Sequence, residues 1–384
     1  MHITTTREAI LPALTLGAKA SDTRSVVPIL GCVLLSAEAG WMDLTTTDIE
    51  TAAKSSIKCL IVEEGVAVLP IKGLAAFVKA LPRGAAVSIK TAADGKTANL
   101  ESGDRTASLD TMEVADFPGV AMGHLPVDFK MPAAELHRLF RKVRPAISTE
   151  VTRYYLNGIY LTAIETEAGD VLRAVATDGH KLMLADTPLP SPLDAKALRG
   201  KSETPWGIIV PTLAVSLIMD LIGKQPTGNV HIRCSDVRIS VRQGPQIVVS
   251  KTIDGTFPEY DRVIPRSGTN ILTTDATNCA SVVTAAAKAV SKDKSQPAKF
   301  TLAEDDVNVS AYNADGARSA SKLNGITRYA GDPMEIGFQS GYVGQILGVV
   351  DGPVHFAFSN NEAPVLITAD NEPSWLAVLM PHKV

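Results

Sequence analysis

Apolar and polar residues follow two spacings along this chain, and each predicts a different element. Strict alternation in residues 230–234 and 237–242 predicts half-buried strands. Leu136, Leu139, Phe140 and Val143 recur at helical spacing, so residues 134–148 are predicted to form an amphipathic helix. The chain therefore combines helices with strands that each have one polar face. Few continuous buried strands alternate with helices, so a doubly wound parallel sheet is not expected.

The same order of elements repeats about every 130 residues. Each unit has a first helix, a strand region, a second helix and further strands, which predicts three similar domains of the α+β class, each with two helices on antiparallel sheets. The first helices are predicted at 9–20, 134–148 and 276–291, the second helices at 71–81, 211–223 and 340–350, and the following strands at 85–91, 229–234 and 353–359.

A β-hairpin is predicted in the middle of the chain. Residues 159–163 and 171–176 are apolar and rich in strand formers, and a polar turn at 165–170 separates them. Polar segments lie at the ends of the hairpin, at 153–158 (RYYLNG) and 177–182 (TDGHKL). We expect these ends to present side chains from loops.

The pairing of RYYLNG with VATDGHKL resembles the middle domain of the bacterial DNA polymerase III beta subunit family, the sliding DNA clamps. Residues 253–265 and the ending 378–384 agree with the same family, and the resemblance runs from Met1 to Val384. It implies three clamp domains, at 1–123, 124–254 and 255–384. It also implies a ring formed by two chains that pair head to tail.

Composition narrows the class of protein. The chain has 384 residues, 45% apolar and 5% aromatic, with no run of about 18 apolar residues and no apolar signal region at its start. We therefore expect a cytoplasmic protein with no membrane partner, and the clamp resemblance implies that it acts at the nucleoid. The four cysteines are far apart and show no metal-binding spacing, so they are interpreted as reduced, mostly buried thiols.

The net charge of −4 and the isoelectric point near 6.0 argue against a tight, sequence-specific DNA-binding protein, since such proteins are usually basic. They allow a locally basic channel through which DNA passes loosely.

Phosphate-binding glycine loops and HExxH or GxSxG motifs are absent from the sequence. Asp178 and His180 bring a carboxylate and an imidazole close together, which leaves an intracellular hydrolase as an alternative function. An Asp in a turn more often accepts hydrogen bonds from its own backbone. The resemblance implies a protein without enzymatic activity, cofactor or metal.

The clamp resemblance implies a hydrophobic pocket that binds peptides of partner proteins. The apolar ending 378–381 is also typical of a last core strand, and that alternative stays open. Lys181 and Val384 depart from the more usual Arg and Leu, and Gln339 and Pro364 fill variable positions. The implied pocket residues are Leu156, Thr177, Gly179, His180, Lys181, Leu182, Pro258, Arg262, Val263, Tyr342, Val378, Leu379, Met380, Pro381 and His382.

The resemblance implies a ring interior whose basic residues attract DNA phosphates. It also places Arg24 on a loop near DNA and Tyr154 and Tyr155 where they could stack on single-stranded DNA. The alternative to DNA contact is a solvated helix face for the basic residues and core packing for Tyr154 and Tyr155. Thr212 and Leu213 stand where the family often has basic residues, so weaker contact is expected there. The main candidates are Arg24, Lys79, Arg83, Arg138, Arg141, Arg153, Tyr154 and Tyr155. Further candidates are Lys72, Lys142, Arg144, Lys288, Lys292 and Lys294.

By the same resemblance, the ring contact would use Arg105, Ala107 and Leu109 of one chain and Ala289 and Val290 of the other. Ala107 stands where larger apolar residues are common, so the contact is expected to bury less area.

The expected function is that of a ring-shaped processivity factor on duplex DNA. Its expected partners are the DNA polymerase III alpha subunit, a clamp-loader ATPase complex, other proteins with a clamp-binding motif, and a second copy of the chain. A clamp paralogue specialised for repair or drug tolerance is the alternative within the family.

Overall fold

The computed structural model describes residues 1–120, 123–199, 205–291, 296–304, 306–313 and 315–383. Across these ranges the order strand, helix, strands, helix, strands occurs three times, which confirms the predicted repeat. The predicted candidates Lys292 and Lys294, and the terminal Val384, lie outside the described residues.

The first repeat contains two helices and nine strands within the described residues. They are β1 His2–Thr6, α1 Arg7–Ala20, β2 Cys32–Glu38, β3 Trp41–Thr47, β4 Thr51–Lys58, β5 Leu60–Glu63, β6 Gly65–Pro70, α2 Ile71–Lys79, β7 Ala86–Thr91, β8 Thr97–Ser102 and β9 Arg105–Asp110.

The second repeat has an additional short helix. Its elements are β10 Val127–Pro132, α3 Ala133–Val143, β11 Gly158–Thr166, β12 Gly169–Thr177, β13 Lys181–Pro188, α4 Ala195–Arg199, β14 Gly207–Pro211, α5 Thr212–Ile222, β15 Asn229–Cys234, β16 Arg238–Gln243 and β17 Gln246–Lys251.

The third repeat returns to the order of the first. Its elements are β18 Asn270–Asp275, α6 Ala276–Val290, β19 Pro297–Ala303, β20 Asp306–Tyr312, β21 Arg318–Lys322, β22 Arg328–Ala330, β23 Met334–Gln339, α7 Ser340–Leu347, β24 Pro353–Phe358, β25 Val365–Ala369 and β26 Trp375–Leu379.

Local chemistry explains where several helices begin and end. The Thr6 hydroxyl accepts a hydrogen bond from the Ala9 amide at the start of α1, and the Asp275 carboxylate caps α6 through the Asn278 amide at 2.8 Å. The α-helix predicted at 134–148 ends earlier, at Val143, and a 3-10 turn follows over Arg144–Ala146. Pro145 has no N–H to continue the α-helical pattern.

Chain contacts divide the protein into two compact units. The first consists of Met1–His137, Pro190–Pro192 and Val210–Thr252, and the second of Arg138–Leu189, Leu193–Ile209 and Ile253–Val384.

The first unit holds two antiparallel sheets, with strand orders β5-β1-β7-β8-β9 and β10-β15-β16-β17-β4-β3-β2-β6. Its main core lies where α1 and α2 cover the sheet, and it includes Ile10, Leu14, Leu74, Val78 and Ile89, all fully buried. These apolar positions are the buried faces of amphipathic helices.

The second unit holds most of a nine-stranded sheet, of order β14-β11-β12-β13-β26-β25-β24-β18-β22, and a smaller sheet, β21-β20-β19-β23. The predicted hairpin is present as β11 and β12, which pair up to Thr166 and Gly169 and leave a connection of two residues. This turn is tighter than the predicted one because both strands extend into its polar residues.

The four cysteines are free, as predicted. Cys32, Cys234 and Cys279 are buried and Cys59 is half-buried.

A hydrogen-bonded loop joins β3 and β4 in the first unit, and we call it the Asp48 loop (Thr47–Thr51). One oxygen of the Asp48 carboxylate accepts bonds from the Glu50 amide at 3.0 Å and the Thr51 amide at 2.6 Å. The Thr47 hydroxyl donates to the Thr51 carbonyl at 2.9 Å. This arrangement forces Ile49 to a φ of +83°, a conformation that is strained for a β-branched residue.

Replacing Ile49 with glycine should stabilise the first unit by about 1 kcal/mol, because glycine adopts positive φ without strain. The Ile49 side chain is 59% exposed, so little apolar burial is lost. The midpoint of urea unfolding, followed by circular dichroism, should rise. Val237→Gly is the matched control: Val237 is equally exposed but has no positive φ, and its loss should lower the midpoint. A lower midpoint for Ile49→Gly would contradict the strain.

Candidate functional site

The loop between β12 and β13, which we call the Asp178 loop (Thr177–Lys181), has the same hydrogen bonds as the Asp48 loop. The Asp178 carboxylate accepts bonds from the His180 and Lys181 amides, both at 2.9 Å. The Thr177 hydroxyl donates to the Lys181 carbonyl at 2.9 Å. The position of the strained isoleucine is taken here by Gly179, with a φ of +88°. The loop is therefore held rigidly by its own polar groups, as an Asp in a turn often is.

The rigid loop directs two side chains toward one aromatic ring. The Lys181 ammonium lies 4.2 Å from the centroid of the Tyr342 ring and forms an ion pair with the Asp178 carboxylate. The His180 ring stacks on the same tyrosine, with centroids 5.8 Å apart and planes at 21°. Burial raises the pKa of Tyr342, and the negative charges of Asp178 and Glu150 raise it further. The phenol is therefore neutral at physiological pH.

Strand pairing brings the end of the chain to this loop. Lys181 pairs with Leu379 across β13 and β26, and Leu182 pairs with Val378. The Met380 amide then donates to the His180 carbonyl at 2.9 Å. The Met380 side chain is 41% exposed, so it adds an accessible apolar group beside the loop. Residues 378–381 thus fit both interpretations made from the sequence. They end a core strand, and they continue onto the surface beside the loop.

A buried apolar cluster adjoins this loop, because Leu182 directly follows Lys181 in β13. It contains three of the predicted pocket residues, Leu156, Leu182 and Val378, all buried. Further buried members are Val175, Leu184, Ile209, Phe257 and Tyr260. The cluster thus places buried apolar side chains next to the loop.

The segment that follows Phe257 forms the edge of the cluster. Phe257 stacks on Tyr160, with ring centroids 4.8 Å apart, and a 3-10 turn follows over Tyr260–Val263. Arg262 is exposed and forms an ion pair with Glu259 at 2.5 Å. Pro258 and Val263 are also exposed. This segment therefore presents both charged and apolar side chains to solvent.

The structure therefore brings the loop residues, Tyr342 and residues 378–380 together by direct contacts. His382 is tied by its amide to the Gly337 carbonyl at 2.8 Å, and Pro381 is half-buried. Pro258, Arg262 and Val263 are exposed.

The geometry does not favour acid–base catalysis by Asp178 and His180. Both Asp178 carboxylate oxygens are used, one by two backbone amides and the other by Lys181. The His180 ring faces Tyr342.

Within the described residues no group of three His, Cys, Asp or Glu side chains could hold a metal ion. None of the described helices is long and apolar enough to cross a membrane.

The basic residues of α3 and of the 3-10 turn after it fall into two classes. Arg138 and Lys142 are engaged within the protein by Glu372, at 3.3 and 2.6 Å, and the Lys142 side chain is buried. Arg141 and Arg144 are exposed. Sequence reasoning placed all four on one charged face, whereas the structure turns Lys142 into the interior.

The other candidates for DNA contact lie on exposed segments. Arg24, Lys79 and Arg83 are exposed in the first unit. In the second unit, Arg153 is exposed and paired with Glu150 at 3.2 Å. Tyr154 is largely exposed, and the half-buried Tyr155 contacts it edge to face and packs against the apolar cluster. Of the two tyrosines, Tyr154 is therefore the more accessible.

The predicted ring-contact residues lie on an edge strand and on a helix end. Arg105, Ala107 and Leu109 lie on β9, at one edge of its sheet. Ala107 and Leu109 pack partly against the core of the first unit. At the end of α6, Ala289 is exposed and Val290 is buried. The edge strand β21 was missed by sequence reasoning, although its alternation of exposed and half-buried residues is a usable signal.

Repeated α+β domains joined by shared sheets, with an apolar surface site in the second unit, define a clamp-type fold. Three family models match the chain: the N-terminal domain of the DNA polymerase III beta subunit over residues 1–122, the central domain over 130–259 and the C-terminal domain over 261–383. The chain belongs to the DNA polymerase III beta subunit family.

Relatives support the same assignment over the full length. The chain is 32% identical to the beta sliding clamp of Caulobacter vibrioides, with both proteins covered completely, and 31% identical to that of Escherichia coli K12, over 91% of this chain and 90% of the relative. A crystal structure of a Bartonella birtlesii sliding clamp bound to griselimycin superposes with a TM-score of 0.92 at 32% identity and covers all of both chains.

Proposed function

We propose that this protein is a DNA sliding clamp, a ring-shaped processivity factor that encircles duplex DNA and tethers the replicative polymerase. The family match along the whole chain carries this proposal. In this function the chain performs no catalysis and needs no cofactor. It acts in the cytoplasm, at the nucleoid.

The surface around Tyr342 is proposed as the pocket for partner peptides. Support comes from the rigid Asp178 loop, the apolar cluster next to it and the exposed Met380. Griselimycin-bound sliding clamps of Bartonella birtlesii and Pseudomonas aeruginosa have this fold. The partners proposed for the pocket are the polymerase III alpha subunit, the clamp loader and other proteins with a clamp-binding motif. The pocket includes all fifteen residues named from the sequence.

Contact with DNA is proposed to be electrostatic and independent of base sequence. Among the basic residues of α3 and the turn after it, Arg141 and Arg144 are the stronger candidates because they are exposed, whereas Arg138 is half-buried. Arg24, Lys79, Arg83, Arg153, Tyr154 and Tyr155 complete the proposed set. The first turn of α5 holds Thr212 and Leu213 and adds no positive charge, so the contact should be weak enough for sliding.

The ring is proposed to form from two chains paired head to tail, which uses two copies of one heterologous contact. The edge strands β9 and β21 are suited to this contact, because an edge strand offers unpaired backbone groups to another chain. Arg105, Ala107, Leu109, Ala289 and Val290 would lie at or near it. The proposed domain bounds are 1–123, 124–254 and 255–384.

A primer-extension assay tests the function. The polymerase III core and the cognate clamp loader are placed on a primed single-stranded circle, with excess trap DNA to prevent rebinding. Adding this protein should lengthen the product of one binding event at least tenfold. Products of unchanged length in the presence of an active loader and polymerase would refute the proposal.

A further inference from the structure

A buried lysine in the second unit connects three elements. The Lys142 side chain, at the end of α3, is only 1% exposed. Its ammonium group lies 2.6 Å from a carboxylate oxygen of Glu372 and donates to the Val349 carbonyl, also at 2.6 Å. Val349 lies just beyond α7, and Glu372 lies between β25 and β26. One charged group therefore links the segment after α7 to the turn before β26.

The same carboxylate and helix anchor the start of β26. Arg138 donates to the Asp186 carbonyl of β13 at 2.6 Å and lies 3.3 Å from the second oxygen of Glu372. The indole N–H of Trp375, the first residue of β26, donates to the Lys142 carbonyl at 3.3 Å. Strands β13 and β26 and helix α3 are thus fixed to one another by buried and partly buried polar contacts.

Stability alone does not explain this arrangement. Burial lowers the pKa of Lys142, although the bond with Glu372 opposes that effect. A lowered pKa means that the folded protein disfavours the charged form relative to the unfolded chain. Buried ion pairs are often replaced by apolar residues with no loss of stability. A gain in stability is therefore not a sufficient reason for this pair. Its specific consequence is that it fixes the positions of the elements it joins.

The elements that meet at Lys142 are the ones that carry the pocket. Helix α7 carries Tyr342, β26 leads to Leu379 and Met380, and β13 begins at Lys181. We propose that Lys142 and Glu372 are positioning residues that hold α7 and β26 in the arrangement that binds a partner peptide. This inference rests on the proposed peptide pocket. Neither residue would touch the peptide, and the pair would act by lowering the cost of ordering the site.

Lys142→Met is the test, because Met fills a similar volume and leaves Glu372 paired with Arg138. Titration of a fluorescent peptide that carries a clamp-binding motif should show about tenfold weaker binding. Hydrogen exchange at the Met380 amide, which donates to His180, should become faster in the free protein. The thermal midpoint should stay within a few degrees of the wild type.

Val33→Ala provides the matched control. Val33 is fully buried in the core of the first unit, so this variant should be less stable than the wild type and bind the peptide normally. If Lys142→Met does not fold, Glu372→Asp keeps the charge and shortens its reach, and it should also weaken binding. Wild-type affinity and exchange in a folded variant would overturn the inference. Failure of the wild-type protein to bind the peptide would instead refute the proposed pocket.

Discussion

Replacing Tyr342 with alanine should weaken the binding of a clamp-binding peptide by roughly one hundredfold. The Tyr342 ring contacts both the Lys181 ammonium, at 4.2 Å, and the stacked His180 ring. Cation–π and ring-stacking contacts each contribute on the order of 1 kcal/mol, and removing an aromatic anchor also leaves its neighbours unsupported. Together these losses correspond to about 2–3 kcal/mol, which calorimetric titration can measure directly.

Tyr312→Ala is the matched control for this experiment. Tyr312 lies in the same unit, on β20, and is half-exposed, so its removal should leave peptide affinity unchanged. If both variants bind like the wild type, the surface around Tyr342 is not the peptide pocket. If both lose affinity equally, the effect is a general loss of structure rather than a loss of the site.

The second large effect concerns stability. Trp375→Ala should destabilise the second unit by about 3–5 kcal/mol, because the side chain is 2% exposed and its removal leaves a large cavity. The Lys142 carbonyl would also lose the indole donor. Urea unfolding followed by circular dichroism measures the change without relying on tryptophan fluorescence.

Trp41→Ala is the control for this prediction. It distinguishes the stability lost by removing a buried tryptophan from the stability lost by removing an exposed one. Trp41 is 43% exposed, and its ring contacts the Lys58 ammonium at 5.4 Å. Its removal should cost about 1 kcal/mol or less. An equal cost at both tryptophans would contradict the packing of β26 described above.

Much of the fold could be predicted from local patterns. The strand at 229–234 has the predicted bounds, and the predicted helices are all present to within a few residues, except at the end of α3. Apolar periodicity reports which face of an element is buried, and that is local information. The predicted helix extends to residue 148, and the α-helix ends at Val143, because Pro145 disfavours its continuation and the chain forms a 3-10 turn there.

The candidate site could be predicted only in part. The Asp178 loop follows from its turn chemistry, since Asp and Gly at these positions serve the backbone. The approach of Tyr342 and Met380 to that loop depends on the pairing of β13 with β26, which joins residues about 200 positions apart. Sequence reasoning obtained these residues from the family resemblance, and local patterns did not supply them.

The ion pair of Lys142 and Glu372 was not predicted at all. Lys142 stands among Arg141 and Arg144 and was assigned to the same solvated or DNA-facing surface. Its partner lies 230 residues further along the chain. A basic residue that lies near the apolar face of a helix cannot be distinguished from a surface residue until the opposite charge is located in space.

Topological retention on DNA tests the central claim most directly. The protein is loaded by its cognate clamp loader and ATP onto a nicked circular duplex, and the complex is isolated by gel filtration. The circle is then cut once with a restriction enzyme. A sliding ring should remain on the intact circle and leave the linear DNA through its ends. Retention that does not change on cutting would show a protein bound by contact rather than by encirclement, and would contradict the clamp account.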